Sequence, residues 1–255
     1  MKLKIRAFKM GESLSVCPIG FISSQLRNQT VEFLLHSAMQ LKRCPLVKYT
    51  ALSFLVDRFL LSFQLGKIRF PCETTVGHWL LRPLNESNLQ LFALISLWIS
   101  SKMHDICSLS VKSLKSLADE IIKDQHYTVR DFIEAELVFL KVLRFEIGAM
   151  NVTSVYMEEF LNEFREVAKK GEAVKFDVCM DILDLLYETA DTSVLYHSPC
   201  FLAAATLVVA YVLSVPNQKS EFPMLSWVRS LTGCKEEDLG ILVKDILQHI
   251  FKPKP

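Results

Sequence analysis

Apolar residues recur along most of this 255-residue chain at intervals of three and four, the spacing that lines up side chains on one face of an α-helix. Ser23 to Lys42 reads as a first helix, ended before Cys44-Pro45. Leu46 to Leu65 is a second, closed by Gly66 as a stop signal. Pro71, Gly77 and Pro83 break the pattern, so Ile68 to Pro83 is expected as a loop. Asn85-Glu-Ser87-Asn88 supplies capping oxygens for a third helix through about Met103. Val111 to Ile122 is a short fourth. Thr128-x-x-Asp131 has the form of a capping box, with Asp where Glu is usual, ahead of a fifth helix running to about Phe145; Gly148 ends the set. A second series follows: Ser154 to Lys169, stopped by Lys170-Gly171; Val174 to Thr189; a turn around His197-Ser-Pro199; Cys200 to Leu213; Leu225 to Ser230; Glu237 to His249. This order predicts an all-α protein of two similar five-helix modules in tandem, residues 21–148 and 151–250, behind an N-terminal extension of residues 1–20. The halves share little sequence, so the repeat rests on element order.

Four charges sit where these stripes call for apolar residues. Lys102 continues Leu91, Ile95, Trp98 and Ile99, and Glu136 fills the middle of Val129, Phe132, Ile133 and Leu140. Asp57 interrupts Leu52-Ser-Phe-Leu-Val56 and Phe59-Leu-Leu61, and Arg27 opens Val31, Leu34, Leu35 and Ala38. Each is expected to point toward something buried, and buried charges need partners. Two are positive and two negative, which suits pairing within the chain or with another protein. Read singly, Lys102 is a lysine favouring a helix C-terminus, and Glu136 a carboxylate for Arg130 or another core neighbour.

Composition narrows the function classes. The net charge of +1 argues against a general nucleic-acid binder. It conceals an asymmetry: residues 1–150 hold 19 Lys and Arg against 13 Asp and Glu, and residues 151–255 hold 10 against 15. Seven scattered cysteines, never in a CxxC pair, fit buried free thiols in a reducing compartment better than disulfides or zinc. Met1 to Lys9 is basic but leads into no apolar core, unlike a secretory signal. Phe201 to Val215, the most apolar stretch at 15 residues, falls short of the roughly 20 of a membrane span and reads as a core helix. A soluble, intracellular protein is expected.

Catalytic signatures do not emerge. There is no phosphate-cradling Gly-rich loop, no HExxH and no GxSxG, and the six histidines lack metal-ligand spacing. His104-Asp105 are adjacent on a helix end, where neighbours point apart. An Arg58-x-x-Leu61 match to a degradation signal lies inside an apolar helix. No catalytic residue, cofactor or metal is expected.

Asp57-Arg58-Phe59-Leu60, Leu89-Gln90-Leu91, Ser101-Lys102 and Glu136 through Leu140-Lys141-Val142-Leu143, in this order and spacing, together resemble the cyclin box. Leu195-Tyr-His-Ser-Pro-Cys-Phe-Leu-Ala-Ala-Ala205 and Leu231-Thr-Gly-Cys-Lys-Glu-Glu-Asp-Leu239 resemble the family's C-terminal repeat. The resemblance covers roughly residues 20–250 and is greatest to the short plant J-type cyclins. It implies two tandem cyclin-box domains and a non-enzymatic regulatory subunit that forms a heterodimer with a cyclin-dependent protein kinase and activates it in the cell cycle. It also implies residence in the nucleus and cytoplasm, with no direct nucleic-acid or membrane partner. It assigns Lys102 and Glu136 to hydrogen bonds with the kinase main chain, Ile99, Met103, Leu140 and Ile147 to the apolar part of that contact, and Arg27 and Asp57 to a buried pair bracing the box. Removing Arg27 would then strand Asp57 in the core. One departure is on the first helix, where Gln29 and Thr30 replace apolar residues of the family's docking patch and Phe33 replaces a tryptophan. A cyclin-fold transcription scaffold is a competing reading, set back by the missing CxxC pair and the acidic second half. An orphan cyclin that binds partners without activating a kinase is a third.

Overall fold

The computed structural model describes residues 22–64, 78–81, 84–148, 152–189, 198–215 and 222–251; the expected N-terminal extension (1–20), Gly66 and His197 lie outside them. Helix α1 spans Ser24–Gln40 and α2 Pro45–Leu52. The latter continues into a π-helical stretch, Ser53–Leu60, and a final turn, α3 (Leu61–Gln64). A short α4 (His78–Leu81) precedes α5 (Glu86–His104), α6 (Val111–Ile121) and α7 (Val129–Val142). The second series is α8 (Thr153–Val167), a 3-10 turn (Lys169–Ala173), α9 (Phe176–Thr189), α10 (Pro199–Ser214), α11 (Met224–Thr232) and α12 (Glu236–Phe251). No strand occurs among the described residues.

Local chemistry explains where the helices begin. Ser23, Asn85 and Ser110 each accept a hydrogen bond from the backbone three residues on. Thr128 and Asp131 close a reciprocal capping box, so the shorter aspartate does what glutamate usually does. Each series is built round a helix buried on nearly all sides: α5 buries Leu91, Phe92, Leu94, Ile95 and Leu97, and α10 buries every residue from Leu202 to Tyr211. Phe59 joins the π-helical stretch to α5 and α7, its ring centroid 4.6 Å from both Phe92 and Phe139.

Two elements differ from the sequence reading. Part of the expected Ile68–Pro83 loop is helical: α4 buries Leu80 and Leu81, and Trp79 stacks on Tyr127 at 6.4 Å. Burial there outweighs the breakers on either side. The second helix is not uniform either. Its widened π-helical turns rotate Asp57 and Arg58 away from the positions a 3.6 period assigns.

The two helix series share one continuous hydrophobic core, and a polar cluster between α2 and α9 adds to it. Lys48 Nζ binds both Asp184 oxygens at 2.9 and 2.7 Å, and the buried Tyr49 hydroxyl donates to Asp184 Oδ1 at 2.6 Å. Burial beside that carboxylate pushes the Tyr49 phenol well up, keeping it a neutral donor. Further along, the 3-10 turn folds back tightly on α8. A Cβ at Gly171 would stand 2.8 Å from the Arg165 Cα and 2.9 Å from the Phe164 carbonyl carbon, and backbone cannot yield as a flexible side chain does. Gly171→Ala is therefore expected to cost about 1–3 kcal/mol, read as a fall in melting temperature of roughly 2–4 °C per kcal/mol.

Candidate functional site

Lys102 and Glu136 meet. The Lys102 ammonium donates to Glu136 Oε1 at 2.6 Å and lies 3.5 Å from the centroid of the Trp98 ring, one turn back on α5. Trp98 is held by its own indole N–H, which donates to the Leu109 carbonyl at 2.9 Å. Ser101 fixes the same helix end: its Oγ donates to Asp105 Oδ2 and accepts from Leu109 N–H at 2.8 Å. The expectation that both charges face the interior is corrected here. The side chains are 39% and 20% exposed, and Glu136 pairs with Lys102, not with Arg130. An ion pair this open is worth only about 0–1 kcal/mol, so either partner is easily redirected to a stronger hydrogen bond.

The helix face around Glu136 turns out to be surface. In α7 the core takes Phe132, Ala135, Val138 and Phe139, while Val129, Ile133 and Leu137 are exposed at 43%, 55% and 39%. The sequence reading merged two stripes into one, because apolar residues occupy both. Ile133, Glu136, Leu137 and Leu140 line a groove of about 510 Å³ with Arg130 and Glu134. Met103, Leu140 and Ile147 are half-buried. Ile99 is not: at 3% exposed it faces the core, because it lies on the inward side of α5 among Leu91, Ile95 and Trp98. Phe145 stands just beyond α7 and is 59% exposed. Its one sequence signal is an aromatic residue placed after the helix has ended.

Arg27 and Asp57 take a looser form than a closed pair. Arg27 is buried on α1, and its Nη1 donates to Asn28 Oδ1 at 3.0 Å and to the Tyr187 carbonyl of the second module at 3.4 Å. Asp57 is half-buried, with Oδ1 sealed off and lacking a hydrogen-bond partner. Burial pushes its carboxyl up to about 7; a hydrogen bond from Ser53 and the charge of Arg27 draw it down without cancelling that effect. Asp57 therefore has another recourse besides a counter-ion, which is to keep its proton.

The remaining candidates separate as follows. His104 meets Thr50 Oγ1 at 3.2 Å while Asp105 pairs with Arg43 at 2.9 Å, so the two point apart. Of the two polar replacements on the first helix, Thr30 is buried with its hydroxyl donating to the Leu26 carbonyl at 2.7 Å. Only Gln29 reaches the groove beside α1, of about 720 Å³, with Phe33, Glu32 and His36. Cys179 is buried and its thiol is pushed up to about 12 by that burial, which leaves it unreactive. Among the described residues no cluster of three or more His, Cys, Asp or Glu side chains is placed to hold a metal. No helix among them is long and apolar enough to cross a membrane.

Comparison with known proteins agrees with this architecture. Residues 15–148 match the family described as the cyclin N-terminal domain. A solved viral cyclin from Herpesvirus saimiri superposes with a TM-score of 0.66 at 13% identity, covering 91% of this chain and 86% of that one. The chain belongs to the cyclin family. Within it the likeness is to the plant J-type cyclins: it is 52% identical over 229 residues to "Cyclin-J18-like" of Oryza sativa subsp. japonica, covering 89% of this chain and 88% of that protein. It is also 52% identical over 226 residues to "Cyclin-J18" of Arabidopsis thaliana, covering 89% and 95%.

Proposed function

We propose that this chain is the regulatory subunit of a heterodimer with a cyclin-dependent protein kinase, which it activates in the cell cycle, in the nucleus. What carries the reading is the Lys102–Glu136 pair beside the groove that Glu136 lines with Ile133, Leu137 and Leu140. A lysine donor and a carboxylate acceptor side by side match the alternating carbonyl and N–H groups of a partner's main chain. The apolar residues around them supply the burial such hydrogen bonds need. Opening the weak internal pair costs little, and the bonds gained in a dry interface are stronger. The cyclin contributes position and no chemistry: by holding the kinase's regulatory helix it favours the conformation in which the kinase's catalytic Lys–Glu pair forms. A stable complex of this kind buries well over ~1,000 Å² in total.

Co-purification with a panel of cyclin-dependent kinases, followed by a phosphotransfer assay, tests this. Capture of at least one kinase with activity above that of the kinase alone is the expected result. Capture without activity would mark an orphan cyclin, and no capture across the panel would remove the kinase-regulator reading.

A further inference from the structure

The chain leaves α7 through an unusual turn. Arg144 N–H bonds to the Lys141 carbonyl at 3.0 Å and Phe145 N–H to the Leu140 carbonyl at 2.8 Å, a Schellman closure. Glycine normally occupies the left-handed position of that motif. Here Arg144 has φ 56° and Phe145 follows at φ 58°, two successive side-chain-bearing residues in a region they rarely adopt. Such a conformation persists only where surrounding structure holds it.

Arg58 provides that hold. Its guanidinium reaches across from the π-helical stretch, Nη1 donating to the Glu146 carbonyl and Nη2 to the Leu143 carbonyl at 3.3 Å. These two carbonyls are the two ends of the turn. The Glu146 carboxylate lies 3.8 Å from Nη2 and balances the charge. A planar fork presents its donors at fixed spacing and so suits two separated carbonyls better than the compact ammonium of a lysine. Arg58 is itself placed by the π-helical turns and by Ser62, whose hydroxyl donates to the Arg58 carbonyl at 2.6 Å. What the clamp presents is Phe145, 59% exposed, followed by the half-buried Ile147.

We propose that Arg58 is a positioning residue for partner binding: by clamping the Leu143–Glu146 turn it fixes Phe145 and Ile147 at the exit of α7, the helix that carries Glu136. This rests on the kinase-binding reading above. Arg58 does not touch the partner; it acts through Phe145.

The test compares the wild type with Arg58→Lys, Arg58→Gln, Phe145→Ala and the Arg58→Gln/Phe145→Ala double variant, using a kinase the wild type captures. Arg58→Gln is expected to weaken binding 10- to 100-fold through faster dissociation, and Arg58→Lys about 3- to 10-fold. In the Phe145→Ala background the Arg58→Gln effect is expected to shrink to under 3-fold, because the residue it acts through is gone. Amide exchange at Phe145, Glu146 and Ile147 in the free chain is expected to accelerate at least 10-fold in Arg58→Gln, with α5 unchanged. Wild-type affinity in Arg58→Gln, an equal loss in both backgrounds, or unchanged exchange at the turn would each overturn the proposal. Should Arg58→Gln fail to fold, the Arg58→Lys comparison in the same two backgrounds decides. A wild type that captures no kinase would overturn the binding role as well, and the exchange arm would separately show whether the clamp exists.

Discussion

Exchanging the two charges, as Lys102→Glu with Glu136→Arg, is expected to abolish kinase capture while leaving the melting temperature almost unchanged. The internal pair is 2.6 Å long, on side chains 39% and 20% exposed, and it can re-form with its polarity reversed. Stability should therefore move by less than about 1 kcal/mol. A main-chain partner cannot reverse itself: its carbonyls would meet a carboxylate and its N–H groups a guanidinium, like against like. Losing a desolvated, charge-assisted hydrogen bond costs about 2–5 kcal/mol, or roughly 30- to 4,000-fold in Kd. Because single substitutions break the internal pair too, the double variant is the cleaner experiment. Capture at wild-type affinity in the swapped protein would show that these residues only pair with each other.

The second large effect concerns Asp57, and its sign runs against the usual behaviour of a carboxylate in a folded protein. With its carboxyl at about 7 against an ordinary 3.8, folded protein holds a proton that unfolded chain has released over the interval between. Stability from this group is thus highest below about pH 4, declines as pH rises toward 7, and is level above it. The decline amounts to at most about 4 kcal/mol. Asp57→Asn mimics the protonated acid without titrating. At pH 8 it is expected to be roughly 1–4 kcal/mol more stable than wild type, and near pH 4 the two should converge. Urea melts of both proteins across that range read the difference directly. An asparagine variant less stable by the same margin at every pH would mean that Arg27 and Asp57 form a stabilising ion pair after all. On the present geometry, removing Arg27 would not strand a bare charge, because Asp57 can take up a proton.

The two predictions concern different parts of the first module, linked by the second helix. Asp57 lies within electrostatic reach of Arg27 on α1 and of the Tyr187 phenol on α9, whose ionisation its charge opposes. The adjacent residue, Arg58, points the other way and clamps the exit of α7. The helix there is π-helical, and nothing in the order Leu52 to Leu61 marks the change of winding.

Much of the fold follows from short-range regularities. The ends of α1, α5, α6 and α7 are marked by Ser23, Asn85, Ser110 and Thr128, whose oxygens cap backbone three residues away. The all-apolar character of Phe201 to Val215 is enough to make α10 the centre of the second module. Where the sequence reading went astray, the missing information was non-local. Ile99 and Ile133 are the same residue type at helical spacing, yet one is 3% exposed and the other 55%. Periodicity says which residues share a face but not which of two apolar faces meets a neighbouring helix.

By itself, then, the sequence determined most of the helices, where several of them begin, and the four charges that break the pattern, because these depend on contacts within a turn or two of chain. Only the tertiary structure decided that Glu136 turns outward to meet Lys102 from 34 residues away, and that Arg58 reaches carbonyls 85 and 88 residues distant. It also decided that burial raises the Asp57 carboxyl to about 7 even though Ser53 and Arg27 draw it down. Such outcomes depend on which helices come together and what they exclude from water, and no local spacing encodes that.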